Sequence, residues 1–239
     1  MAEIDLITEK DKKSLVSEAY RSIRTSIQFA GAGKQLKLIS FTSSIPREGK
    51  STTISNMAIA MAQDNKKVLL IDCDLRKPVQ HKKFGLQNRG LTNFIATETP
   101  LDELIQSEVF SNLDVLPSGP IPPNPSELLG SEKMAGLLQT VAERYDYVLL
   151  DMPPVLVVTD ATVLSARVDG IVFVVASGAV TPEEVKQSKQ RLLQSGANVL
   201  GVILNKMESK HGSGYGYYYY YYYDEEHHKH KGHKKKISK

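Results

Sequence analysis

The sequence predicts an α/β fold: a mostly parallel sheet flanked by helices on both faces. Three observations carry that prediction. Short apolar runs alternate with segments of helical periodicity from residue 36 to residue 205, the pattern of strands joined by crossover helices. The apolar runs are continuous, as expected of strands buried on both faces. Two of them end in an acid, Asp72 and Asp151, and a third leads into a Gly-Lys-Ser turn. Chemistry-bearing residues therefore gather at the carboxyl ends of strands, where open parallel sheets bind ligands.

Composition narrows the class. A chain of 239 residues, 41% hydrophobic and 24% charged, suits one sizeable globular domain. No apolar run approaches the roughly 18–20 residues of a membrane span. The opening residues, Met-Ala-Glu-Ile-Asp-Leu, lack a signal-peptide pattern, so a cytoplasmic location is expected. One cysteine, Cys73, excludes an internal disulfide and suits a reducing compartment. The net charge is +3, and residues 208–239 account for it with seven lysines against four acids. A nucleic-acid partner is therefore not expected. The expected organisation is an N-terminal helical segment (1–34), a nucleotide-binding domain (35–207) and a tail (208–239).

Residues 1–13 are polar and expected to be loose. Residues 14–30 set Leu15, Ala19, Ile23 and Ile27 at helical spacing. Glu18, Arg21 and Arg24, three apart, share the polar side, which taken alone reads as solvated surface. Gly31 and Gly33 end the helix. Residues 36–41 read as a strand, 43–52 as a turn and 53–63 as a helix. Residues 67–72 form a second strand, with a loop over 72–78. Residues 92–108 read as short helical pieces with Leu101, Leu104 and Ile105 on one face. Residues 113–116 make a short strand, and the proline-rich 121–125 is extended or turning. A helix over 126–144, a strand over 147–151, a helix over 159–168 and a strand over 170–175 follow. The last pair is a helix over 182–195, with Pro182 near its start, and a strand over 198–205.

The tail differs in kind. A Gly/Ser linker precedes Tyr215, then seven consecutive tyrosines: Tyr217, Tyr218, Tyr219, Tyr220, Tyr221, Tyr222 and Tyr223. An acidic triplet and a His/Lys tract close the chain. A homopolymer run has no amphipathic face, so disorder is expected. The His tract reads as solvated, with metal binding as the sharper alternative.

The turn runs Ser43-Ser44-Ile45-Pro46-Arg47-Glu48-Gly49-Lys50-Ser51-Thr52. Between a strand and a helix, this is a phosphate-binding arrangement. Gly49 admits a phosphate to the backbone, Lys50 places a charge on the β- and γ-phosphates, and Ser51 offers a hydroxyl to Mg²⁺. The helix N-terminus adds its positive end. Ser44 stands where the full pattern has glycine. Ser44, Arg47, Glu48, Gly49, Lys50, Ser51 and Thr52 are thus candidate nucleotide contacts. Moving a γ-phosphoryl group needs Mg²⁺ and a group that orients or deprotonates the nucleophile, and Asp72, Asp74 and Asp151 supply acids. Each alone also reads as a loop anchor or helix cap. Three together beside Gly-Lys-Ser favour a site for ATP with Mg²⁺.

These residues together resemble the bacterial tyrosine-kinase (BY-kinase) family of capsular and exopolysaccharide synthesis, over essentially the whole chain. The Walker A-like loop is residues 44–51, and the Walker A′ run is Leu69-Leu70-Ile71-Asp72-Cys73-Asp74-Leu75-Arg76. The Walker B run is Val148-Leu149-Leu150-Asp151-Met152-Pro153-Pro154. Glu18, Arg21 and Arg24 match the family's Glu-x-x-Arg-x-x-Arg oligomerisation motif, and the tail matches its tyrosine cluster. The resemblance implies a P-loop NTPase fold of the MinD/ParA-like type, with ATP and Mg²⁺. It implies Lys50 on the phosphates, Ser51, Asp74 and Asp151 at the metal, and Asp72 as base, with the division between Asp72 and Asp74 open. Asn205 sits where related ATPases read adenine, with a strand-end cap as the alternative. It further implies a ring homo-oligomer that phosphorylates its tail tyrosines in trans. The implied partners are a separate transmembrane activator holding the chain at the inner membrane face, a tyrosine phosphatase, and protein substrates of polysaccharide synthesis. The linker from Asn205 to Tyr215, about ten residues, extends to at most roughly 35 Å, enough to reach a neighbouring subunit. Two rivals stand beside this reading. One is a MinD/ParA-type ATPase, which usually carries a lysine where this chain has Ile45. The other is a nucleotide-gated assembly module with an adhesive tail.

Overall fold

The computed structural model of the chain describes residues 5–207, apart from 32 and 35. The expectations placed on the tail, its tyrosines and its His/Lys tract lie outside the described residues.

Helices α1 (Ile7–Lys10) and α2 (Leu15–Ala30) open the chain. Strand β1 (Leu38–Ser43) leads into α3 (Lys50–Ala62), then β2 (Val68–Asp72). Helices α4 (Gln80–Lys83) and α5 (Leu91–Ala96) and a 3-10 turn (Leu101–Glu103) precede the hairpin of β3 (Gln106–Phe110) and β4 (Leu113–Leu116). Helices α6 (Pro125–Gly130) and α7 (Glu132–Arg144) lead to β5 (Tyr147–Asp151). Helix α8 (Asp160–Ser165) leads to β6 (Gly170–Ala176), and α9 (Pro182–Gln194) to β7 (Val199–Asn205).

The strands form one sheet in the order β3-β4-β2-β5-β1-β6-β7. Every pairing is parallel except β3 with β4. The chain winds from β1 to one side through β2, returns to place β5 against β1, then leaves on the other side through β6. The winding thus reverses at β1, the place where such sheets form a ligand crevice. Register brings the acids together there: Asp151 is opposite both Phe41 of β1 and Asp72 of β2.

Successive strand residues serve two cores. Val68 and Leu70 of β2, with Ile39 and Phe41 of β1, pack under α1, α2 and α3. Leu69 and Ile71 of β2, with Val148 and Leu150 of β5, pack under α5 to α9. Both faces are covered, which is why the strand sequences do not alternate. No helix among the described residues is long and apolar enough to cross a membrane.

Four elements differ from the sequence expectations, each for an identifiable physical reason. Residues 5–13 are not loose. Leu6 and Thr8 are buried, and Asn56 Oδ1 on α3 accepts from Thr8 N at 3.1 Å and Thr8 Oγ1 at 2.9 Å. The same segment meets the start of α2, where Ser17 Oγ lies 3.2 Å from Ile7 O and 2.6 Å from Asp11 O. The buried side of α2 runs through Ser17, Tyr20, Ile23 and Ile27, while Leu15 and Ala19 are exposed. Residues 106–110 form an edge strand where helical pieces were expected. Gln-Ser-Glu-Val-Phe is a polar strand, and Glu108, in the left-handed region, donates its N–H to Asp114 Oδ1 at 2.8 Å. The single helix expected over 126–144 breaks at Ser131, whose hydroxyl caps the second half by accepting from Met134 N at 3.2 Å.

The three motif residues of α2 do not act alike. Glu18 and Arg21 pair with each other, half-buried, and Arg21 Nη1 donates to Lys12 O at 2.9 Å. Arg24 turns inward: Nη1 donates to Ala60 O at 2.8 Å, near the C-terminal end of α3, and Asp64 lies 3.6 Å away. Arg24→Ala is therefore expected to lower the unfolding free energy by about 1.5–3 kcal/mol, the range for a charged hydrogen bond. Arg21→Ala is expected to cost less than about 1 kcal/mol. Urea denaturation of the two variants checks this, and equal losses would contradict the separation.

Candidate active site

The site begins where β1 ends. Gly49 adopts φ of 92°, a region side chains rarely enter, and a Cβ there would stand 2.1 Å from Asn205 Nδ2. Glycine meets both demands and releases α3 with Lys50 as its first residue. Glu48 braces the turn from behind. It is buried, and its Oε2 accepts from Ile45 N at 2.8 Å and its Oε1 from Ala176 N at 3.0 Å. Two further ties come from β7 and the residue after it. Asn205 Nδ2 donates to Glu48 O at 2.9 Å, and Lys206 Nζ to Arg47 O at 2.6 Å. Arg47 itself is exposed, with φ of 70°.

Lys50 reaches back over the strand ends. Its Nζ lies 2.8 Å from Asp74 Oδ2, 3.2 Å from Asp151 Oδ1 and 3.1 Å from Ser51 Oγ. All three charged groups are buried: Lys50 is 8% exposed, Asp74 5% and Asp151 0%. Burial opposes the ammonium charge, but Asp151 and Asp74 outweigh it and raise the Lys50 pKa. Two carboxylates thus hold one cation between them.

Asp72 stands behind this group with no exposed surface. Its Oδ1 accepts from Asp74 N at 3.2 Å, and its Oδ2 from Val79 N and Gln80 N, both at 2.9 Å. Burial, then the charge of Asp151, push its pKa up to about 7, against the pull of the Gln80 and Val79 amides; Asp74 adds to the rise. The loop after β2 is latched at its outer side as well. Arg76 forks onto buried Asp160, Nε to Oδ2 and Nη2 to Oδ1, each at 3.0 Å. Cys73 lies buried between the acids, and burial pushes its thiol well above the ordinary range.

Phosphates and Mg²⁺ fit these residues. Ser44 Oγ is buried and has no hydrogen-bond partner among the described residues. Gly49 keeps the turn free of side chain, and the gap between Asp74 and Asp151 already takes a cation. Oxygen donors of this kind, two carboxylates and the Ser51 hydroxyl, suit a hard divalent ion.

The fold therefore brings together Ser44, Gly49, Lys50, Ser51, Asp74 and Asp151, with Glu48, Asp72 and Asn205 holding the frame. Thr52 Oγ1 accepts from Lys83 Nζ at 2.9 Å. Glu18, Arg21 and Arg24 stand apart on α2. Gln80 and Lys83 had not been singled out: α4 is four residues long, too short to give a periodic signal. The one available hint was a polar run following directly on the Asp-x-Asp-x-Arg motif.

Fold and site define a P-loop nucleotide-binding protein. The family described as AAA domain matches residues 36–191. Tyrosine-protein kinase YwqD of Bacillus subtilis (strain 168) is 46% identical over 215 residues, 89% of this chain and 90% of that protein. Putative tyrosine-protein kinase CapB of Staphylococcus aureus is 41% identical over 206 residues, 86% of this chain and 90% of that protein. The crystal structure of the chimerical protein CapA2B2 superimposes with a TM-score of 0.82 at 42% identity, covering 85% of this chain and 90% of that one. MinD from Pyrococcus horikoshii OT3, complexed with Mg-ADP, shares the fold alone, with a TM-score of 0.63 at 22% identity over 73% of this chain and 72% of that one. The chain belongs to the bacterial tyrosine-kinase family, built on the P-loop fold that MinD also has.

Asp72 gives a pH test. Its folded pKa of about 7 lies above the ordinary 3.8, so the fold favours the protonated acid. That contribution is complete below pH ~4 and is lost as pH rises through ~7, at up to about 1.4 kcal/mol per pH unit. Between about pH 4 and 7 the wild-type unfolding free energy should carry this downward slope and level off above it, and Asp72→Asn should flatten it. Parallel profiles for the two proteins would contradict the assignment.

Proposed function

We propose that the chain transfers the γ-phosphoryl group of ATP, with Mg²⁺, to tyrosine hydroxyls of its own tail, presented by a neighbouring copy in a ring. The observation that carries this reading is Lys50 held between Asp74 and Asp151 at a phosphate loop, in a chain that also carries Tyr215 and Tyr217 to Tyr223. Arriving phosphates draw Lys50 off the carboxylates. Asp74 and Asp151, with Ser51, would then hold Mg²⁺, which would supply positive charge against the phosphates. Tyrosine has an ordinary pKa of about 10, so it needs a base. Asp72 is the base in this reading, and a pKa near 7 suits a proton acceptor at neutral pH. Reaching an outside hydroxyl requires the loop over 73–80 to release one of its amide contacts to Asp72.

The finer context follows the family. Glu18 and Arg21 form the contact between ring neighbours, while Arg24 keeps α2 on α3. A separate transmembrane protein activates the kinase at the inner membrane face, a tyrosine phosphatase resets it, and the substrates belong to capsule or exopolysaccharide synthesis. Each phosphotyrosine adds about −1.5 to −2 charges. A fully modified tail overwhelms its lysines, repels its neighbours and opens the ring. The domain boundaries 1–34, 35–207 and 208–239 belong to the same proposal, and Leu6 and α2 share a core with α3.

One experiment separates the readings. Incubation with ATP and Mg²⁺, mass mapping of the tail and sedimentation of the same samples should give phosphate on residues 217–223 and smaller assemblies. Lys50→Met should give none. That variant leaves two buried carboxylates without their cation, at a cost of about 3–5 kcal/mol, so it is assayed where circular dichroism shows it folded. ATP consumption without phosphotyrosine would favour a MinD/ParA-like ATPase instead.

A further inference from the structure

The first residue of α4 is fully buried beside the acids. A buried glutamine must find partners for two N–H donors and one carbonyl oxygen, and Gln80 finds them inside the site. Its Nε2 donates to Asp151 Oδ2 at 2.7 Å and to Ser51 O at 3.2 Å. Its Oε1 lies 2.7 Å from Ser55 Oγ, whose proton serves either Gln80 or Ser51 O at 2.6 Å. The flipped amide is excluded, because it would set a carbonyl oxygen against the Asp151 carboxylate.

This amide decides how Asp151 is used. Of the two carboxylate oxygens, Oδ2 is held by Gln80, and Oδ1 is the one that faces Lys50 at 3.2 Å. The backbone N–H of the same residue donates to Asp72 Oδ2 at 2.9 Å. Asp72 and Asp151 are register partners on β2 and β5, so one residue grips both strand-end acids and the first turn of α3.

We infer that Gln80 is a positioning residue: it fixes the Asp151 carboxylate so that Oδ1 alone is presented to the cation, and it ties that orientation to the loop that holds Asp72. The inference rests on the nucleotide and Mg²⁺ reading of the site. Groups that orient a ligating carboxylate typically change metal affinity or activity by about 10–100-fold when removed.

Gln80→Leu keeps the size and removes the amide, and ADP binding by calorimetry, with Mg²⁺ and with EDTA, reads its effect without any turnover. The wild-type chain should bind ADP more tightly with Mg²⁺. In Gln80→Leu the affinity in EDTA should be unchanged, while the gain from Mg²⁺ falls about 10-fold or more. Gln80→Asn keeps the amide but shortens its reach, and it should show the same loss if Gln80→Leu does not fold. An undiminished Mg²⁺ gain in whichever variant folds would overturn the inference and leave Gln80 as core packing. Failure of the wild-type chain to bind ADP would instead sink the nucleotide reading itself.

Discussion

The site depends on one ammonium group between two carboxylates. Parallel winding sets Asp72 and Asp151 side by side at the end of the sheet, and Asp74 follows within the same loop. Three buried acids so close together repel one another, and like charge is among the causes that push Asp72 up to about 7. Lys50 answers that repulsion from the first turn of α3, and it arrives there because Gly49 can take a left-handed backbone. The same geometry that steadies the free protein leaves a cation position ready for use. A buried ion pair of this kind is weak evidence for stability, since desolvation offsets most of its attraction. Its position beside the phosphate loop suits the chemistry proposed for the site.

Around that pair the structure is a set of braces made from backbone amides. Glu48 holds Ile45 and Ala176, and Asp72 holds Asp74, Val79 and Gln80. These carboxylates order loops at the carboxyl edge of the sheet, where the strands supply no further ladder partners. Glu48 therefore shapes the turn with both of its carboxylate oxygens engaged by backbone amides.

Much of this was legible in the sequence. Continuous apolar runs identified the buried strands because helices cover both faces, and the acids at 72 and 151 were visible as the ends of those runs. The phosphate loop was visible despite Ser44, since strand, Gly-Lys-Ser and helix occur in order. What was not legible depended on tertiary packing. The edge strand β3 is too polar to announce itself. The face of α2 is set by Ser17 on Ile7 and by Arg24 on Ala60, contacts outside the helix, so three motif residues at one spacing divide into different tasks. Gln80 lies in a four-residue helix with no periodic signal, and its place beside Asp151 appears only when the chain folds.

In the proposed mechanism Lys50 occupies the place of a metal between Asp74 and Asp151 and leaves it when nucleotide binds. A crystal structure of the chain with Mg²⁺ and a non-hydrolysable ATP analogue tests this most directly. Lys50 Nζ should then lie on the β- and γ-phosphate oxygens, with Asp74 and Asp151 turned to the Mg²⁺. Nucleotide bound while Lys50 stays within ion-pairing distance of both carboxylates would contradict it.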